Sequence, residues 1–589
     1  MIRSGFRILA FAALATAALA QQGPGNSNHS GNNGPGGAWN QAPDLPQHSH
    51  GNLVNIIVQF KQAPSPADLA AIERFWDPSD KNSDNDDQQH GQNRHNFTDT
   101  IHAFHLVVPT WAVSLISAMP DVAYVSPVRP VQKSLDIVDA TVYASTAWNL
   151  GFTGTGVGVA VIDSGIYQDD DLTDSSHNSR VVYSESFVDG TTPTDQFGHG
   201  THVAGIIGSA GVDSIGPGFT RTFKGVAPGV NLINLRVLDA NGIGLESDVI
   251  AAIQRAIQLK STYNIRVMNL SLGRPVFESY TLDPLCQAVE AAWNAGIVVV
   301  VAAGNSGRDN SMGTNGYATI QSPGNDPSVI TVGATKTKGT PYRWDDTIAS
   351  YSSKGPTPID HIVKPDLVAP GNNVVSILAP NSMLAKLYPK TLISYSYYDP
   401  GYYGFSRDYY CLSGTSMASP VVAGAAALLI QKTPSLTPDQ VKARLMKTAG
   451  KLFPLTSTSF DSWTNAAYYS QSDIFTVGAG YLDISAALQS TDLTKLPATS
   501  PTAMIDPATG KVVIVRNFSA IWGDASVWGD FQLYGSSAFN VTLPSGLGAV
   551  WGDSAVWGDI VNPAFGIIWG DSVNTILLPQ ALSADDSDQ

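Results

Sequence analysis

The sequence predicts an α/β protein: a doubly wound, mostly parallel sheet, preceded by a small α+β domain and followed by a short β-like tail of repeats. Three observations predict it. Between residues 134 and 490, runs rich in Val and Ile ("GVGVAVID", "VNLINLRVL", "IRVMNLSLG", "GIVVVVAAGN", "SVITVGA") have no polar face, as strands covered on both sides require. Helical patterns ("ESDVIAAIQRAIQLK", "LDPLCQAVEAAWNAG", "TPDQVKARLMKTAG") alternate with them, the signature of βαβ units. The triplet Trp-Gly-Asp then starts at Trp522, Trp528, Trp551, Trp557 and Trp569, a short repeat of another character.

The elements follow in chain order. Residues 1–20 read as a secretory signal peptide: Arg3 and Arg7 precede an apolar run from Ile8 to Leu19, and Ala18-Leu19-Ala20 is a small-residue cleavage signal. The run is too short to span a bilayer, so export to the medium or cell surface is expected. Residues 21–51, rich in Gly, Asn, Gln, Pro and His, cannot bury a core and read as a disordered linker. Residues 52–133 read as β-α-β-α-β, with the polar spacer "DPSDKNSDNDDQQHGQNRHN" as an exposed loop after the first helix. Residues 134–490 carry the alternating pattern. In residues 491–589, each Trp-Gly-Asp places an aromatic beside a turn-forming Gly-Asp. Three readings of that tail stay open: a small repeated β-module, a Trp surface for a wall polymer or carbohydrate, or Asp ligands for calcium.

Charge excludes one class of function. The formal net charge is −16, and Lys and Arg form no cluster, so phosphate backbones have nothing to bind and no nucleic-acid partner is expected. The two cysteines, Cys286 and Cys411, can pair in an exported protein, but spacing alone leaves pairing open.

Ligands of doubly wound sheets lie beyond the carboxyl ends of strands, and there the chemistry is found. Asp163 ends "VAVID". His199 lies in "GHGTHVAG", where a helix begins. Ser416 lies in "SGTSMASP", at the start of a small-residue helix. A serine hydroxyl needs a base to become a nucleophile, imidazole has the suitable pKa, and a carboxylate fixes its tautomer. Only His177, His199, His202 and His361 occur after residue 134, and His199 alone has flanking glycines and a helix start. Asn305, after the strand "VVVVAA", can donate its amide to a developing oxyanion. His202 reads as a structural histidine, since no third ligand motif and no HExxH accompanies it.

Four segments, "VAVIDSGI", "GHGTHVAG", "AAGNSG" and "SGTSMASP", resemble the signature segments of the subtilisin-like serine proteases, in that family's order of Asp, His, Ser. The resemblance spans about residues 134–490. It implies that Asp163 orients the base, His199 is general base and acid, Ser416 is the nucleophile, and Asn305 forms an oxyanion hole with the Ser416 N–H. It also implies that residues 52–133 are an inhibitory propeptide, acting on its own chain and removed by self-cleavage near Val131 to Leu135. "LSLGRP" resembles the family strand that pairs with an extended polypeptide substrate. By that likeness Ser271, Leu272 and Gly273 line one wall of the pocket for the residue before the scissile bond, and Ala302, Ala303 and Gly304 line the other. Neither segment holds an acid, so a broad or apolar preference, with Phe or Leu foremost, is expected.

No redox or organic cofactor is implied, and a monomer is expected. Calcium is common in the family, and Asp171 of "DSGIYQDDDL" fits one ligand position. The rest of that site is not recognisable in "GSAGVDSIGPGFTRTFKG", so no metal site is assigned. Eight tyrosines between Tyr388 and Tyr410 lengthen the connection to Ser416, either as a wall of the cleft or as a surface loop. Two rival functions remain. One is a binding protein that works through its Trp repeats. The other is an esterase, although esterases of the α/β-hydrolase type carry GxSxG and the order Ser, Asp, His.

Overall fold

The computed structural model describes residues 53–76, 92–97, 102–127, 135–461, 466–515, 519–521, 535–540 and 575–577. The expected signal peptide, linker and Trp-Gly-Asp triplets lie outside the described residues. The chain divides into two compact units, Met1–Pro130 and Val131–Gln589.

The first unit begins with β1 (Leu53–Phe60), α1 (Pro66–Glu73) and β2 (Gln92–Phe97). It continues with β3 (Ala103–Pro109), α2 (Ala112–Ser117) and β4 (Val122–Pro127). Its antiparallel sheet has the order β2-β3-β1-β4. Alternate residues Ile56, Val58 and Phe60 of β1 are buried with Leu106, Val108, Ile116 and Val125, the period of two that a half-covered strand requires. The strand β2 lies at the end of the segment that reads as an exposed polar loop. Its sequence, "QNRHNF", has no apolar alternation, because an edge strand is held by backbone bonds to one neighbour and needs no apolar face.

The second unit opens with α3 (Leu135–Thr141) and α4 (Ala144–Asn149). Its central strand is β5 (Gly158–Asp163), buried at every position. On one side lie β6 (Val181–Ser186) and β7 (Asn231–Arg236). Between these two in the chain runs α5 (His199–Gly208), and β7 is followed by the short β8 (Ile243–Leu245) and by α6 (Glu246–Tyr263). On the other side of β5 come β9 (Ile265–Leu270), then α7 (Pro284–Asn294), β10 (Val298–Ala302) and β11 (Ile330–Lys336). Among the described residues the sheet has eight strands. Its order is β12-β11-β10-β9-β5-β7-β6, with β12 at Thr347–Ile348 and β13 (Leu367–Pro370) also on β11. All pairings are parallel except β11 with β12. The order reverses beside β5, so a crevice opens where β5 ends.

Helices cover the sheet with apolar stripes. In α6 the buried residues Val249, Ala252, Ile253 and Ala256 recur at helical spacing, and Asn264 ends the helix with φ of 48°. Fully burying one Val or Ile contributes about 1.5–3 kcal/mol, so the strand runs read from the sequence dominate this core. Beyond β13 come β14 (Val374–Ile377), α8 (Met383–Leu387), β15 (Leu392–Ser394) and β16 (Phe405–Leu412). They form a second antiparallel sheet, β14-β16-β15, that leads into α9 (Thr415–Lys432) and α10 (Pro438–Thr448). The described residues past 490 pack on this body. Ala498, Ala503, Val512 and Ile521 share a core with Ile474 and Phe475, and Thr575–Leu577 pairs with β8.

Candidate active site

Asp163 is the last residue of β5, and His199 is the first of α5. Their side chains meet with Nδ1 2.8 Å from Oδ1, both groups buried. A carboxylate only accepts, so Nδ1 carries the hydrogen and Nε2 keeps its lone pair. The close approach depends on Gly200. A Cβ there would stand 2.2 Å from the Gly165 carbonyl oxygen and 3.1 Å from Asp163 Cβ, so no larger residue fits.

Asp195, absent from the sequence reading, holds the start of α5. Its Oδ1 accepts from the Gly198 N–H at 2.7 Å and from Ser164 Oγ at 2.9 Å. Its Oδ2 accepts from the Thr201 N–H at 2.9 Å and Thr201 Oγ1 at 2.7 Å. Ser164 Oγ in turn accepts from the Gly200 N–H. The residues flanking Asp163 and His199 are thus tied through one buried carboxyl. Burial raises that carboxyl above the usual range while its hydrogen bonds oppose the rise. An Asp just before a helix start was the available signal.

Ser416 is the second residue of α9, which packs along α5. Pro420 sits inside α9 and has no N–H for the Ser416 carbonyl four residues earlier. Ser271 Oγ donates to that carbonyl at 2.8 Å and meets Ser419 Oγ at 2.8 Å. The Ser416 hydroxyl donates to the Ser271 carbonyl at 3.2 Å. Ser271 therefore holds the nucleophile's turn through its side chain, and Leu272 is fully buried in the core.

Asn305 lies three residues beyond β10. Its Oδ1 accepts from the Thr415 N–H at 2.9 Å and from Thr415 Oγ1 at 3.1 Å. A Cβ placed on Gly414 would stand 3.3 Å from Asn305 Nδ2 and 3.6 Å from the Ser416 nitrogen, so the two donors flank one small volume. The Gly304 N–H donates to Thr415 Oγ1 at 3.1 Å, which sets Ala302, Ala303 and Gly304 beside the same turn. Ser271 thus bonds Ser416 itself, and Gly304 bonds its neighbour Thr415. Gln321, which the sequence reading missed, spans the gap between Gly273 and Gly304.

The tyrosine-rich segment grips the chain just before His199. Three consecutive carbonyls each take a donor from that segment or from α8 just before it. The Met383 N–H reaches Gln196 at 3.0 Å, the Leu384 N–H reaches Phe197 at 3.0 Å, and Tyr410 OH reaches Gly198 at 2.5 Å. Gly198 has φ of 107°, and Ser382 fills the place a side chain would take. Tyr398, Tyr409 and Tyr410 are buried, whereas Tyr402 and Tyr403 are exposed at the tip. His202 packs edge-on against Tyr410, and its Nε2 lies 3.0 Å from the Val374 carbonyl oxygen. Burial, with His199 nearby, lowers its pKa to about 3, so it is a neutral structural histidine.

Asp169, Asp171 and Asp213 bring carboxylate oxygens within 4.8 Å of one another. Asp171 accepts from Ser209 Oγ at 2.8 Å, Tyr409 OH at 2.7 Å and the Asp213 N–H at 3.0 Å. Burial first, and then the neighbouring acids, push Asp169 to about 7 and Asp213 to about 6. Asp213 lies in the segment where no ligand is recognisable from sequence. No disulfide joins Cys286 to Cys411. Cys286 is buried, with its thiol donating to Asn325 Oδ1 at 3.3 Å. Among the described residues no helix is long and apolar enough to cross a membrane.

Residues 154–478 match the subtilase family. The chain is 40% identical over 347 residues to serine protease AprX of Bacillus subtilis, covering 58% of this chain and 72% of that protein. It is 36% identical over 341 residues to subtilisin DY of Bacillus licheniformis, covering 58% of this chain and 93% of that protein. With subtilisin E of Bacillus subtilis the identity is 35% over 384 residues, 64% of this chain and 78% of that one. Matched over more than half of its length, the chain belongs to the subtilase family.

Proposed function

We propose that this serine endopeptidase hydrolyses polypeptides through Ser416, His199 and Asp163, and that it is exported as a precursor which processes itself. The observation that carries the reading is the buried 2.8 Å contact between His199 Nδ1 and Asp163 Oδ1, at the end of the strand beside which the sheet order reverses. His199 Nε2 takes the Ser416 proton as Oγ attacks the peptide carbonyl. Asp163 holds the tautomer and stabilises the imidazolium that forms. The Asn305 amide and the Ser416 N–H receive the oxyanion, and these donors are oriented before the charge develops. His199 then protonates the leaving amine, and next activates water to release the acyl-enzyme.

Residues 52–133 act as the intramolecular inhibitor in this reading, and residues 1–20 direct export. No acid lies in 271–273 or 302–304, so a basic residue before the scissile bond has no counter-charge there. The reaction needs no cofactor. Asp169, Asp171 and Asp213 fit a hard divalent cation in kind, since three close carboxylates, one buried and two half-buried, repel one another unless a proton or cation lies among them. Calcium there would brace the start of the loop after α5.

The test is the intact mass of purified wild type beside Ser416→Ala. Wild type should lose the segment up to about residue 133, and the variant should keep it while folded. Retention of the segment by folded wild type would overturn self-processing.

A further inference from the structure

A strand from near the end of the chain lies beside the catalytic residues. The short strand β8 doubles back on the chain that leaves β7, where Gly244 bridges to Leu238. The Val237 and Leu238 N–H groups both donate to the Asp163 carbonyl, at 2.8 and 3.3 Å, so β8 and the Asp163 backbone flank the same short segment. The two ends of β8 are pinned to two sides of the site. At one end, a Cβ on Gly242 would stand 2.6 Å from the ring of Phe197, two residues before His199. At the other, Glu246 Oε1 accepts from Arg274 Nη2 at 2.8 Å, and Arg274 directly follows Ser271–Gly273. The inner edge of β8 is already used. Ile243 accepts from the Asp239 N–H at 2.8 Å and donates its own N–H to Asp239 Oδ1 at 2.9 Å. Successive residues of a strand turn their backbone groups to opposite edges, so Gly244 offers its N–H and carbonyl to the outer edge. Thr575–Leu577 takes that edge as an antiparallel strand, with Thr575 opposite Leu245, Ile576 opposite Gly244 and Leu577 opposite Ile243. It runs from the Glu246 end of β8 to the Phe197 end, so its carboxyl end points toward the approach to His199.

We propose that Thr575–Leu577 is an autoinhibitory strand, occupying on β8 the edge that an extended polypeptide substrate would pair with. This role rests on the proposed function of Ser416. A free strand edge takes an extended peptide through backbone bonds, and one edge holds one strand at a time. The tail and the substrate therefore compete. A substrate that needs β8 binds only the fraction of enzyme whose edge is free, and its KM rises by the inverse of that fraction while kcat stays the same. A small substrate that reaches Ser416 without touching β8 is indifferent to the tail.

The test uses the matured full-length enzyme and its Ile576→Pro variant, with the carboxyl terminus of each checked by intact mass and active sites counted with a fluorophosphonate. Proline at this position has no N–H to give to the strand pairing opposite Gly244. Two substrates are compared: a peptide with about six residues before the scissile bond, and a nitrophenyl ester of a single blocked amino acid. Ile576→Pro should lower KM for the peptide about tenfold at constant kcat and leave both constants for the ester unchanged. The triple variant Thr575→Gly, Ile576→Gly, Leu577→Gly weakens the same strand and should move KM the same way, so the test stands if Ile576→Pro fails to fold. Equal peptide KM in wild type and folded variant, or equal changes for both substrates, would overturn the proposal. If wild type sheds the tail during maturation, peptide KM should fall as the intact mass falls, and a KM constant across that step would overturn it too. A folded wild type that hydrolyses neither substrate and takes no label on Ser416 would overturn the protease mechanism itself.

Discussion

At the scale of single residues, each proposed catalytic group sits where two different elements meet. Asp163 ends a strand and faces the first residue of a helix. Ser416 lies where Pro420 leaves a carbonyl open and Ser271 closes it. Two outcomes follow. Asn305→Ala should lower kcat by about 10²–10³-fold, the range known for subtilisin's own oxyanion donor, with KM nearly unchanged in steady-state kinetics. Ser271→Ala should disturb more than its small size suggests. It leaves the Ser416 carbonyl and Ser419 without a buried partner, a loss of about 1–3 kcal/mol in a denaturant titration, and it should lower kcat as well.

At the scale of elements, the second sheet, β14-β16-β15, does two things. Its last strand leads into Ser416, and Tyr410 of that strand, with Met383 and Leu384 of α8, holds the three carbonyls before His199. Tyr410 thereby ties the strand of the nucleophile to the helix of the base. Tyr410→Phe removes one hydroxyl and should cost about tenfold in kcat per titrated active site, with KM within twofold, since small misplacements of reacting groups are expensive. Unchanged kcat in a folded variant would limit Tyr410 to packing. The acids beside this sheet predict a pH dependence. Asp169 and Asp213 hold protons more tightly in the folded chain than in the unfolded one. Their contribution is complete below about pH 4 and is lost as pH rises toward about 7. In chelator, the melting temperature of wild type should fall across that window more steeply than that of the Asp169→Asn, Asp213→Asn double variant. Millimolar calcium should raise the melting temperature at pH 8 for wild type only. Parallel pH curves for the two proteins would contradict this.

At the scale of the whole molecule, the body of the enzyme includes chain beyond its last long helix. Asp366 is buried between Lys364 at 2.7 Å and Lys442 at 3.1 Å, and Ser500 donates to it and accepts from Lys442. The backbone of Ser500 also reaches Pro327, and Val363 reaches Pro501. A chain ending at residue 490 should melt several degrees below one ending at residue 540, because removing one partner of a buried charged group is destabilising. The sequence made the main strands, α6, α7, α10 and the four signature segments legible, because each is local: an apolar run, a helical stripe, or a short motif at an element's end. Gln321, Tyr410 and Asp213 were not legible. Their contacts are made by residues far along the chain, Gln321 with Gly273 and Tyr410 with Gly198, and nothing in their own neighbourhoods marks them. The strand β2 escaped because an edge held by backbone bonds needs no apolar pattern.

The most direct measurement is the site of covalent labelling by a fluorophosphonate, read by peptide mass mapping. The account predicts one adduct, on Ser416, formed quickly by wild type and at least about 10³-fold more slowly by His199→Ala, because the hydroxyl then has no base. An adduct on another residue, or equal rates in the two proteins, would contradict it.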